Sequence, residues 1–146
     1  MKTEILNLDE RFLDEIDLIE NESFKDPWSK NAYSDEIKNS VANYKVITVD
    51  DKCIAYGGFW KILDEGHITN ICVKKEFRKK GYGKMLMDAL IQEAKNQGVR
   101  AMTLEVRVSN LGAIKLYENC GFISAGVRKK YYADNEDALI MWLEEL

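Results

Sequence analysis

Phe77-Arg78-Lys79-Lys80-Gly81-Tyr82-Gly83-Lys84 runs directly into a stretch in which Leu86, Ala89, Leu90 and Ala94 recur at helical spacing. Basic residues and glycines that open a helix are a physical recipe for holding phosphate. Glycine lets the backbone come close to a ligand, and a helix N-terminus offers unpaired N–H groups with a partial positive charge. Two commoner phosphate motifs do not fit. A P-loop requires Ser or Thr after its lysine, where Met85 stands, and a dinucleotide fingerprint requires a third glycine where Leu86 stands.

Working outward, His67 to Val73 reads as a strand entered through the turn Asp64-Glu65-Gly66. On the other side Gly98 fits the C-cap of a helix over 81–97, and Ala101 to Val108 alternates as a second strand. Strand, helix and strand in that order favour parallel pairing. Tyr44 to Val49 and Cys53 to Ile62 form a hairpin around Asp50-Asp51-Lys52, and Lys2 to Leu8 forms a first strand. From Asp9, a candidate cap, the residues Phe12, Leu13, Ile16, Ile19 and Phe24 fit one helical face. Asp26-Pro27-Trp28-Ser29 interrupts it. Ser29 then caps a second helix, with Trp28 and Tyr33 spaced as a hydrophobic staple. Ser109 or Asn110 caps a short helix that Gly121 ends, and Phe122 to Tyr131 with Ala138 to Leu143 make a last strand pair. The expectation is one α/β domain over residues 1–146, with about seven strands and about four helices.

The chain has 146 residues, 46% of them apolar and 32% charged, in the range of a soluble globular protein. No apolar run approaches a membrane span, and the start shows no secretory pattern. Cys53, Cys72 and Cys120 are widely spaced without a CxxC pair, and His67 is the only histidine, so no metal site is expected. The cysteines read as small buried side chains in a reducing, cytoplasmic protein. A net charge of −4 argues against direct nucleic-acid binding. Positive charge nevertheless gathers at Lys74, Lys75, Arg78, Lys79, Lys80 and Lys84, either as a solvated face or as a local anion site.

The run Arg78-Lys79-Lys80-Gly81-Tyr82-Gly83, taken with Ser109-Asn110, Leu116-Tyr117 and Gly121-Phe122, resembles the GNAT superfamily of acyl-CoA-dependent N-acyltransferases. That resemblance implies a mixed, mostly antiparallel sheet whose central strands splay to admit CoA. It further implies that backbone N–H groups of Lys79, Lys80, Gly81, Tyr82, Gly83 and Lys84 hold the pyrophosphate. Ile71, Cys72 and Val73 would pair with the pantetheine arm as a neighbouring strand would.

Leu104-Glu105-Val106-Arg107 followed by Ser109-Asn110 is similar to one branch, the ribosomal-protein-alanine N-acetyltransferase family. In its strand Glu105 shares the less apolar face with Arg107, which taken alone favours a solvated or salt-bridged carboxylate over a base. The resemblance makes Glu105 the general base, Asn110 a CoA contact and Tyr117 the acid for the leaving thiolate. It extends to Asp26-Pro27-Trp28-Ser29 and to Arg128, Tyr131, Tyr132 and Glu136-Asp137-Ala138, so that Trp28, Tyr131 and Tyr132 either frame an incoming peptide or serve as core and rim aromatics. The chain departs from the commonest pattern in Lys74-Lys75, in Gly112 and in lacking proline after Tyr132. The implied activity is transfer from acetyl-CoA to the N-terminal alanine of a ribosomal protein, small-subunit protein eighteen, by direct attack of the α-amine. Rival readings are acetylation of a lysine, a polyamine or another small amine, and CoA binding without turnover.

Overall fold

The computed structural model describes residues 1–146. Strands β1 (Thr3–Asn7), β2 (Ala42–Val49), β3 (Lys52–Ile62), β4 (Glu65–Val73), β5 (Ala101–Arg107), β6 (Ile123–Arg128) and β7 (Ala138–Leu143) join in one sheet of order β1-β2-β3-β4-β5-β7-β6. Helices α1 (Leu13–Ser23), α2 (Lys30–Lys38), α3 (Tyr82–Asn96) and α4 (Leu111–Asn119) cover it. Every neighbouring pair is antiparallel except β4 and β5, which the connection through α3 makes parallel.

That parallel pair is short. Only Glu65, Gly66 and His67 pair with Ala101, Met102 and Thr103, and beyond them the strands part. On its other side β4 carries an extra residue, Thr69, between the pairs Phe59–Ile68 and Gly58–Asn70. A bulge bends its strand and increases the local twist, and this one lies where the gap toward β5 opens. The expected splay is thus built from the register of three strands.

Alternation along β2 separates two cores. Ile47 and Val49 face Leu86, Met87 and Leu90 of α3 together with Met102 and Leu104, while Tyr44 and Val46 face Phe12, Ile16, Ile19 and Tyr33. Each fully buried aliphatic side chain of α3 contributes about 1.5–3 kcal/mol. The exposed Lys84–Asp88 pair on the same helix, at 2.9 Å, is screened by solvent and adds little. Packing, not surface charge, therefore docks α3 on the sheet.

Several local expectations are modified. Asp9 caps a separate 3-10 turn, Glu10–Phe12, by accepting from the Arg11 N–H at 3.0 Å, and α1 begins at Leu13. Phe24 takes extended backbone after the last turn of α1 and leaves the helical face. Strand β6 ends at Arg128, because Lys130 turns with φ of 52° and gives its N–H to Asp137 Oδ1 at 2.9 Å. Ser29 caps α2 at Ala32 N–H, and Trp28 packs on Tyr33 with ring centroids 5.3 Å apart, the expected staple.

Candidate active site

Where β4 and β5 separate, a cleft of about 420 Å³ opens. Ile68 to Ile71 form one wall, Leu104 to Arg107 the other, and Asn110, Ala113 and Tyr117 close one side. Glu20, the loop from Ser23 to Trp28, and Tyr132 surround the rest. Of the residues expected from sequence, Glu105, Tyr117, Ile71, Asn110, Trp28 and Tyr132 meet here.

The others lie around it. Cys72 is buried in the core beneath α1 and α2, and Val73 packs against the core of α3. Tyr131 is exposed, with its ring edge-on to Tyr132 at 5.1 Å and under the Arg128 guanidinium, and it does not line the cleft.

Lys79 to Gly81 form an exposed loop beyond β4 that runs into the first turn of α3 at Tyr82 to Lys84. Lys79 and Gly81 take positive φ, 61° and 90°, with Lys80 between them of ordinary sign. Backbone of alternating hand makes a concave set of N–H groups suited to an anion. The Met85 N–H donates to Gly81 O at 3.1 Å, so the N–H groups of Tyr82, Gly83 and Lys84 precede the hydrogen-bonded ladder of α3 and remain free at its positive end. Gly81 supplies the left-handed turn. Gly83 has a different job, because a Cβ there would lie 3.0 Å from Leu116 Cδ2 of α4. Arg78 is a structural part of the motif, its Nε donating to Val73 O at 2.8 Å and its Nη2 to Ser23 Oγ at 3.3 Å. These free N–H groups, the flanking lysines and the opened edge of β4 fit a ligand with a pyrophosphate and a long polar arm.

Glu105 is 28% exposed, and its nearest cation is Arg128 Nε at 3.9 Å, too distant to consume its lone pairs. Tyr117, 8% exposed, stands on α4 beside Phe122. Burial pushes its phenol well above the usual value, so the hydroxyl keeps its proton throughout the neutral range. Asn110 spends its side-chain oxygen on the α4 cap, accepting from the Ala113 N–H at 3.2 Å.

Sequence reading missed the polar frame that holds these walls. Arg107 forks onto Asp134 at 2.9 and 3.0 Å and reaches Glu136 at 2.9 Å, with its guanidinium 4.1 Å over the Tyr132 ring. Those bonds hold the Asp134 carboxyl down at about 2, and Lys25 adds a contact from the opposite loop at 3.4 Å. Burial pushes Tyr132 up to about 12. The other missed group is Glu20. Its signal was present, since it continues the apolar face of Ile16 and Ile19.

Similarity to known proteins agrees with this layout. Residues 13–122 match the Acetyltransferase (GNAT) family. The chain belongs to that family. This GNAT chain is 40% identical over 144 residues to a Bacillus subtilis (strain 168) protein, covering 97% of this chain and 95% of the other, which carries provisionally the name ribosomal protein bS18-alanine N-acetyltransferase. Its fold superposes on the ribosomal-protein-S18-alanine N-acetyltransferase from Escherichia coli with a TM-score of 0.90 at 33% identity, covering 99% of this chain and 94% of that one. The fold also matches a chain of the NatC complex bound to Gag peptide and CoA, with a TM-score of 0.85 at 21% identity and full coverage of both chains. No helix is long and apolar enough to cross a membrane.

Proposed function

We propose that this GNAT chain transfers an acetyl group from acetyl-CoA to the α-amine of an N-terminal alanine, on the small-subunit ribosomal protein bS18, as a single catalytic domain in the cytoplasm. The observation that carries the reading is the position of Glu105 and Tyr117 on the cleft where β4 parts from β5. Similarity to the Escherichia coli enzyme over nearly the whole chain supports the choice of acceptor.

Acetyl-CoA supplies the activated acetyl thioester. The N–H groups from Lys79 to Lys84 take its pyrophosphate, and the free edge of β4 at Ile71 to Val73 pairs with its pantetheine arm. Asn110 lies at the same side of the cleft. Glu105 receives the proton of the incoming amine, directly or through one water, and Tyr117 gives its proton to the departing sulfur. An α-amine with pKa near 8 is about a tenth neutral at pH 7, while a lysine amine is neutral in roughly one molecule in a few thousand. The α-amine therefore needs less deprotonation, which suits a carboxylate base assisted by water. Trp28 and Tyr132 bound the acceptor end, and a small first side chain passes between them.

Competition between matched peptides tests the acceptor. A peptide beginning with free alanine should be acetylated in preference to one whose sole free amine is a lysine side chain. Preference for the lysine amine, or acetylation of polyamines alone, would move the protein to another acceptor class.

A further inference from the structure

Glu20 is a carboxylate that none of these steps uses, although it borders the same cleft at 1% exposure. Its four partners are all neutral donors. Oε2 accepts from the Trp28 N–H at 2.9 Å, and Oε1 accepts from Tyr33 Oη at 2.8 Å, Tyr56 Oη at 2.7 Å and Asn70 Nδ2 at 3.2 Å. Burial pushes both phenols far above their usual range, so both stay protonated and donate. A carboxylate oxygen offers two lone pairs, so three donors crowd Oε1 while one holds Oε2. At 1% exposure and held by four donors, Glu20 is more poorly placed than Glu105 to take the proton of an ammonium.

The two ends of this carboxylate differ in what they hold. Oε1 is fixed by donors from α2, β3 and β4, all parts of the packed sheet and its core. Oε2 has a single partner, in the loop between α1 and α2 that walls the acceptor end of the cleft. We infer that Glu20 is a positioning residue for acceptor binding: its carboxylate hangs the Trp28 loop from the core and sets that wall's height above β4. Contact of the Trp28 ring with Tyr33 ties the side chain to the same anchor. The inference rests on reading the cleft as the acetyl-transfer site and assigns Glu20 a part in choosing the acceptor rather than in chemistry.

Glu20→Gln keeps the shape but replaces one acceptor oxygen by a donor. Whichever way the amide turns, the Trp28 N–H or the three donors on Oε1 lose their acceptor. The KM for the acceptor amine should rise about tenfold or more, the cost of unsatisfied buried donors. Acetyl-CoA affinity by calorimetry and the pH profile of kcat should stay as in the wild type. Tyr56→Phe and Tyr33→Phe, which leave the carboxylate in place, should raise the same KM by a smaller factor. They carry the test if Glu20→Gln gives no cooperative melt. An unchanged acceptor KM in the folded variants would overturn the inference, as would a loss confined to kcat with a changed pH profile. If the wild type prefers a polyamine to the alanine peptide, the acceptor assignment fails by itself, and the Glu20 comparison is read with the polyamine. A wild type without any transferase activity overturns both.

Discussion

Glu105 and Glu20 border one cleft, and their surroundings divide the work between them. Glu20 is buried and held by four donors, three of them on Oε1, whereas Glu105 is partly exposed with one cation at 3.9 Å. The second is the better placed to meet an incoming amine. Glu105→Gln should therefore lower kcat by about 10²–10⁴ with acetyl-CoA affinity retained. Tyr117→Phe removes the hydroxyl whose proton burial holds in place, and should slow thiol departure similarly. Steady-state kinetics with calorimetry check both, and wild-type turnover in either variant would remove that residue from the mechanism. Glu105 and Tyr117 were legible in the chain because they stand inside a recognisable run of residues. The place of Glu20 on the buried face of α1 was legible too, but its partners were not, because its donors come from separate segments that meet only in the folded protein.

At the level of elements, the glycine loop shows how one motif serves two physical ends. Gly81 adopts φ of 90° with open space around it, so Gly81→Val strains the backbone by about 1–2 kcal/mol without a clash. Its expected result is a folded protein that binds acetyl-CoA weakly. Gly83→Val meets Leu116 at the interface of α3 and α4, and overpacking of that kind costs about 1–3 kcal/mol. Combining Gly83→Val with Leu116→Ala should return part of the thermal stability but not the acetyl-CoA affinity, since the side chain still crowds the glycine loop proposed to hold the pyrophosphate. Thermal melts and calorimetry on the three proteins separate these outcomes. Recovery of affinity in the double variant would mean that Gly83 serves packing alone. The start of α3 and its first turn could be read from spacing, but the contact with Leu116 could not, because α4 lies some thirty residues on.

On the scale of the molecule, the sheet is joined across β4 and β5 by three residue pairs, and the remainder of that edge is open. A ligand that binds there and on the α3 loop bridges the two halves of the sheet and favours the folded state by mass action. At a hundredfold excess over its Kd, acetyl-CoA should stabilise the protein by about 2.7 kcal/mol, raising the thermal midpoint by several degrees. Scanning calorimetry with and without acetyl-CoA checks this. An unshifted midpoint at saturating ligand would argue that the open edge is not its binding site.

Periodicity and punctuation determined the elements themselves, the hairpin of β2 and β3, the parallel crossover through α3 and the staple of Trp28 on Tyr33. These depend on contacts a few residues apart or on a handedness rule that holds for any chain. Motif residues with set spacing likewise marked Glu105 and Tyr117, which line the cleft, and the glycine run that opens α3. Tertiary structure alone decided where β4 and β5 part, since that depends on the Thr69 bulge and on the register with β3. It also decided that Arg107 would clamp the loop carrying Tyr132, that Tyr131 would turn outward, and that Glu20 would collect its four donors. Partners distant in sequence are chosen by which surfaces pack, and no local pattern records that choice.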